Sequence, residues 1–165
     1  YSGPILHGNG VPLFSSALHL AGGVLHFLLG YAAFAPLSWA AVAIGGFFGL
    51  VFAAGHMTHE ARDHDGDRRN GIRTNAVAFG RRRGFLAGLV LFGLAYALLA
   101  ALALAGLVPG VLAPLALLAL PLHLFAARRA LRAGLTFAAL RGLQGFYRRL
   151  HAVIGAAMLA AVLPW

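Results

Sequence analysis

The sequence predicts an all-α integral membrane protein, a bundle of about five transmembrane helices. Three observations carry this. Hydrophobic residues make up 61% of the chain and charged residues 10%, against roughly 25% charged in an average soluble domain. The mean hydropathy is +0.82. The apolar residues also fall into runs long enough to cross about 30 Å of hydrocarbon. These runs are Val11 to Phe34, Leu37 to His59, Gly84 to Val108, Gly110 to Ala127, and a shorter one from Leu150 to Trp165.

The segment before the first span, YSGPILHGNG, is rich in turn formers and reads as a loop. Pro36 separates the first span from the second. Within the spans, Gly45, Gly46 and Gly49, and Gly84 with Gly88, match the small-residue spacing that lets membrane helices approach closely. The last run is marginal in length, and Tyr147 and Trp165 are placed to anchor its two ends at the interfaces.

The formal net charge of +9 would point to nucleic acid in a soluble chain. Here all thirteen basic residues are arginines gathered in two segments between apolar runs, so membrane topology accounts for them and no nucleic-acid partner is expected. Seven lie in Glu60 to Arg83 and six in Arg128 to Arg149. Two spans separate these segments, so both lie on one face, the cytoplasmic one by the positive-inside tendency. The second segment intersperses its arginines with Leu131, Leu135, Phe137, Leu140 and Leu143, the pattern of a stretch lying along membrane headgroups. Cysteine is absent, which removes disulfides and thiol chemistry.

All four acidic residues, Glu60, Asp63, Asp65 and Asp67, fall inside eight residues. Carboxylates this close repel by about 2 to 3 kcal/mol per pair at an effective dielectric near 20, so a divalent cation or arginines must compensate. If the second span continues as helix, His56, Glu60, Asp63 and Asp67 share one face, and Asp65 points elsewhere. Asp63 and Asp67, one turn apart, can offer two oxygens to magnesium, which takes one or two carboxylates plus water and phosphate oxygens. Gly66 is where such a helix could instead end. The run DHDGD opens like a calcium loop, but Arg68 and Thr74 stand where that loop needs glycine and glutamate. A lipid-headgroup transferase would need further aspartates downstream, and there are none. The bland alternative is a solvated loop in which Arg62, Arg68, Arg69 and Arg73 neutralise the acids through surface pairs of little energetic worth.

The run Glu60 to Gly80, EARDHDGDRRNGIRTNAVAFG, resembles the second aspartate-rich motif of the UbiA superfamily of intramembrane prenyltransferases, through Asp63, Asp67, Arg68, Gly71, Thr74 and Gly80. Tyr1, Ser2 and Pro4 are similar to the start of a second family motif, from which the chain departs at Ile5, Leu6, His7 and Asn9. The end, from Phe146 to Trp165, resembles the loop and last helix of the family.

The resemblance implies that this chain is the C-terminal part of one UbiA-type domain, helices five to nine of a nine-helix bundle. The missing N-terminal half would carry the other acidic motif, and the isolated fragment would be inactive. It also implies Mg²⁺-dependent transfer of a prenyl group from an allylic prenyl diphosphate to a lipophilic acceptor within the membrane, of the aromatic or quinone-precursor class. The implied site has Asp63 and Asp67 as catalytic metal ligands, Glu60 and Asp65 as further metal candidates, and Arg68, Arg73 and Tyr1 as diphosphate contacts. An ion pair of Arg68 or Arg73 with Asp65 or Glu60 is the competing assignment. The implied setting is the inner (plasma) membrane of a bacterium, with the acidic segment on the cytoplasmic side and membrane lipids as partners.

Phe14, Phe27, Phe47, Phe48 and Phe92 are either prenyl-channel lining or, more ordinarily, packing. His19, His26 and His123 lie within spans and are expected to face the bundle interior, in interhelical hydrogen bonds. His56 and His59 sit beside the acids, where they could orient a carboxylate. The rival from another class is a non-enzymatic membrane protein, a transporter half or a subunit that binds anionic lipid through its basic segments.

Overall fold

A computed structural model describes residues 11–162. Six helices follow one another with no strand among the described residues: α1 Phe14–Ala32, α2 Trp39–Arg69, α3 Asn75–Phe79, α4 Arg81–Leu104, α5 Leu112–Arg132 and α6 Phe137–Val162. Four of them, α1, α2, α4 and α5, are long and apolar enough to cross a membrane. The fifth expected span is part of α6, a single helix of 26 residues whose first half carries Arg141, Arg148 and Arg149.

α2 packs on α4, α4 on α5, α5 on α6, and α6 back on α2, which closes a ring of four helices. α1 is attached outside that ring, packed along α2 and tied to α3 by a hydrogen bond between Ser16 and Asn75. The junction with α2 is close because it is made of glycines. A Cβ at Gly23 would lie 2.8 Å from the Gly49 Cα, and one at Gly49 would lie 2.7 Å from the Leu20 carbonyl oxygen. Gly88 on α4 meets the Ala54 carbonyl of α2 at 3.1 Å in the same sense. The small-residue spacing thus serves helix packing, as membrane helices require where no water drives them together.

The ring is filled by an aromatic and histidine cluster from α4, α5 and α6: Phe92, Tyr96, His123, Tyr147 and His151. His123 behaves as expected of an intramembrane histidine, with Nδ1 3.0 Å from the Tyr96 hydroxyl and the ring 1% exposed. His19 and His26 do not. α1 packs along one long helix, α2, and both rings are exposed; His19 bonds its own-helix Ser15 carbonyl at 2.7 Å and stacks on His56 at 3.7 Å. Tyr147 is no interfacial anchor: it is buried, stacked on His123 at 5.6 Å. Trp165 lies outside the described residues. Phe47 and Phe92 are core residues, Phe14 is exposed, and Phe27 stacks on Phe48 at 5.0 Å.

Both basic segments are less loop-like than their composition suggested. Gly66 does not end α2, which runs on to Arg69. At about 1.5 Å per residue its 31 residues reach about 46 Å, well beyond the hydrocarbon thickness, so Glu60 to Arg69 project past the apolar layer. The second segment does not lie as a separate interfacial stretch: only Ala133 to Thr136 separate α5 from α6, and Phe137 onward belongs to the same helix as the last apolar run. An unbroken hydrogen-bonded helix avoids exposing backbone polar groups near lipid.

Candidate functional site

The end of α2 is set by one glycine of the motif, Gly71, and the turn into α4 by another, Gly80. Gly71 has φ +68, a conformation that costs a side chain, and it allows the Ile72 N–H to donate back to the Asp67 carbonyl at 2.9 Å and the Gly71 N–H to the Arg68 carbonyl at 3.4 Å. This double closure is a Schellman cap. Thr74 then caps α3, its hydroxyl accepting from the Val77 N–H at 3.4 Å. Gly80, at φ +94, turns the chain from α3 into α4. Three of the recognised motif residues are therefore backbone devices that fold the chain back over the acidic end of α2.

Asp63 and Asp67 stand one turn apart on this extension. Arg62 holds Asp63 in a fork, Nε donating to Oδ1 at 2.7 Å and Nη2 to Oδ2 at 2.6 Å. Its Nη1 donates to Gln144 Oε1 on α6 at 2.7 Å, and its guanidinium lies 5.5 Å from the Phe137 ring centre. The Arg62 pairing keeps the Asp63 carboxyl below the usual carboxylate range. Asp67 is pushed the other way: burial raises it, and the charges of Asp63 and Glu60 add to the rise, opposed in part by the Thr74 hydroxyl. Among the described residues, no arginine or histidine forms an ion pair with Asp67.

The other two acids are committed differently. Glu60 is 5% exposed and accepts from Asn75 Nδ2 at 2.8 Å through Oε2. Its Oε1 lies 3.0 Å from His56 Nε2, which is also 3.0 Å from Ser15 Oγ. Asp65 is 70% exposed, engaged by Arg81 and by His64 Nδ1 at 3.0 Å, and both partners hold its carboxyl below the usual range.

The arginine that neutralises an acid within the motif is therefore Arg62, and the second comes from Arg81 on the next helix. Arg68, Arg69 and Arg73 form no ion pair among the described residues, so the competing pairs of Arg68 or Arg73 with Asp65 or Glu60 are not formed. Arg73 instead lines a cavity of about 180 Å³ with Val11, Ser15, His56, Glu60, Thr74 and Asn75. Tyr1 lies outside the described residues. Arg62 reaching Gln144 and Phe137 puts the two basic segments at the same end of the bundle, as the count of spans between them required.

Sequence reasoning missed Asn75 and Gln144. Asn75 is buried and joins three segments: it donates to Glu60, donates to Ser16 Oγ at 2.9 Å, and accepts at 2.6 Å from the N–H of Leu13, which is held at φ +70. Its only signal was a polar residue following Thr74; Gln144 was an isolated amide between arginines.

No group of three or more histidine or acidic side chains converges on a metal position among the described residues. Two carboxylates one turn apart, one of them without a cationic partner, nevertheless fit magnesium, whose remaining positions are commonly filled by water and phosphate oxygens.

No curated protein and no solved structure matches the chain. The sequence model of the UbiA prenyltransferase family matches residues 6–136, a stretch that takes in the acidic end of α2, its glycine-capped turn and all four apolar spanning helices. With that match over most of its length, and a helical membrane bundle to go with it, the chain belongs to the UbiA prenyltransferase family.

Proposed function

We propose that the chain takes part in Mg²⁺-dependent transfer of a prenyl group from an allylic diphosphate to a lipophilic acceptor, an aromatic or quinone precursor, with the acidic end of α2 on the cytoplasmic side of a bacterial inner membrane. Family membership supports intramembrane prenyl transfer in general. The observation that carries the finer reading is the pair Asp63 and Asp67 on one helical face beyond the apolar layer, with the charge of Asp67 uncompensated by any ion pair among the described residues.

Asp63 and Asp67 would hold the magnesium ion, which supplies positive charge against the diphosphate as the carbon–oxygen bond breaks. The rest falls to the chain. Arg62 orients the Asp63 carboxylate, so that ligand geometry is set before substrate arrives. Arg73, free of acidic partners among the described residues and lining the small cavity, would grip phosphate oxygens, a task suited to a planar guanidinium; Arg68 is the second candidate. The apolar helices exclude water, which would quench an allylic cation.

Every acid of the chain lies between Glu60 and Asp67. The chain is accordingly read as the C-terminal part of a UbiA-type domain whose other acidic motif lies outside these 165 residues. Turnover by the 165-residue chain alone would contradict that reading.

The test is binding of a non-hydrolysable prenyl diphosphate analogue with and without Mg²⁺, in the wild type and in Asp63→Ala and Asp67→Ala. Magnesium-dependent binding lost in both variants supports the proposal. Binding indifferent to magnesium and to both substitutions would leave a lipid-binding or transport role instead.

A further inference from the structure

We propose that the groove between α5 and α6, at the same end of the bundle as the acidic site but apart from it, holds an anionic phospholipid. It has a volume of about 430 Å³ and shares no residue with the cavity beside Glu60. Its floor is small and apolar, built from residues such as Ala130, Ala139 and Gly142, with Phe146 in its wall. Two guanidinium groups border it, Arg129 from the last turn of α5 and Arg149 from α6. An apolar trough with paired cations matches a lipid whose phosphodiester is anionic and whose chains are oily.

The charge distribution favours such an occupant. All four acids lie between Glu60 and Asp67, and the ion pairs they form among the described residues are with His56, Arg62, His64 and Arg81. None involves Arg128, Arg129, Arg132, Arg141, Arg148 or Arg149, six positive charges at the edge of an apolar layer with no acidic partner among the described residues. Anionic headgroups are the abundant countercharge at that depth. Arg149 is also partly ordered: its Nε donates to the Gly145 carbonyl of its own helix at 3.1 Å, which leaves both Nη groups to donate to phosphate oxygens.

The inference rests on the membrane setting and not on prenyl transfer. Native mass spectrometry of the protein, released from a bilayer of equal phosphatidylcholine and phosphatidylglycerol, tests it. The expected result is selective retention of phosphatidylglycerol. Retention should fall about tenfold or more in the Arg129→Gln/Arg149→Gln double variant, given the attraction of each arginine for an anionic surface. Gly142→Leu, which fills the trough and keeps every charge, should reduce it as well, while Arg82→Gln/Arg83→Gln should leave it unchanged. Equal retention in the double variant, unaltered retention in Gly142→Leu, or an equal loss in the Arg82/Arg83 variant would overturn the site. So would displacement of the lipid by farnesyl diphosphate, which would assign the groove to substrate, or a lipid-free dimer, which would assign it to a second copy of the chain.

Discussion

Asn75 Nδ2 donates to Glu60 Oε2 across 2.8 Å, and this bond ties the segment after the acidic helix back onto the helix itself. Because Asn75 also bonds Ser16 and Leu13, one carboxamide holds α1, α2 and α3 together beside the cavity that Arg73 lines. Replacing it with alanine leaves a buried carboxylate short of a donor, which costs about 1 to 3 kcal/mol and more where the group is charged. Asn75→Ala should lower the thermal midpoint in detergent and loosen the loop at Arg73, read as faster amide exchange over residues 70–75. Asn75→Asp, which sets a second acid against Glu60, should do worse.

Arg73 is expected to contribute through binding. Loss of a charge-assisted contact to phosphate is worth about 1.5 to 3 kcal/mol, so Arg73→Ala should raise Kd for the prenyl diphosphate by about 10- to 100-fold. Arg73→Lys should recover only part, since an ammonium cannot make the two-point contact. The direct comparison is titration of the same diphosphate analogue against wild type, Arg73→Ala and Arg73→Lys.

Asp67 should give the site its acid limb. Its carboxyl is raised above the usual range, so on acidification it takes up a proton before Asp63, which Arg62 holds low. Cation binding should therefore weaken as pH falls through the raised Asp67 value, while Asp63 is still ionised. For stability the sign is opposite to that of a paired carboxylate: a folded-state value above the unfolded one means that the charged form of Asp67 opposes folding at neutral pH and that this penalty fades on acidification. Asp67→Asn should raise the metal-free thermal midpoint while abolishing Mg²⁺-dependent ligand binding. A lowered midpoint in that variant would contradict the assignment.

The α1–α2 junction should tolerate no side chain at its crossing. Gly49→Ala forces a Cβ to 2.7 Å from the Leu20 carbonyl, and overpacking of this kind costs about 1 to 3 kcal/mol. Gly22→Ala, on the same helix pair with nothing within 4 Å, is the control and should be neutral or stabilising by up to about 1 kcal/mol, the helix-propensity difference. Thermal melts of the two variants decide it.

Tyr96→Phe should destabilise the ring of helices by about 1 to 3 kcal/mol, because it strips the buried His123 ring of its hydroxyl partner without changing the apolar fill. Unfolding of the purified variant in a graded denaturing detergent measures this.

Much of the protein was open to reading from its letters. Runs of apolar residues are set by the thickness of a bilayer, so the spanning helices were found from Val11, Leu37, Gly84 and Gly110 onward, with ends shifted by a few residues except at α2, which runs ten residues past His59. The face carrying Asp63 and Asp67 follows from helical periodicity once α2 continues past His59. Gly71, Thr74 and Gly80 stood out only as letters of the family motif; that they close α2, cap α3 and turn the chain into α4 came from the structure.

What the tertiary structure alone decided is partnership. Arg62 rather than Arg68 or Arg73 serves Asp63, Arg81 reaches back to Asp65, Asn75 and His56 enclose Glu60, and Gln144 closes on Arg62 from 82 residues away. Local sequence cannot choose among seven nearby arginines, since pairing energy depends on distances between helices whose separation is set elsewhere, at glycines such as Gly23, Gly49 and Gly88. Charge and spacing determined that an acidic cluster would sit at the membrane edge; the packing of α2 against α3, α4 and α6 determined which of its carboxylates are paired and that Asp67 has no ion-pair partner among the described residues.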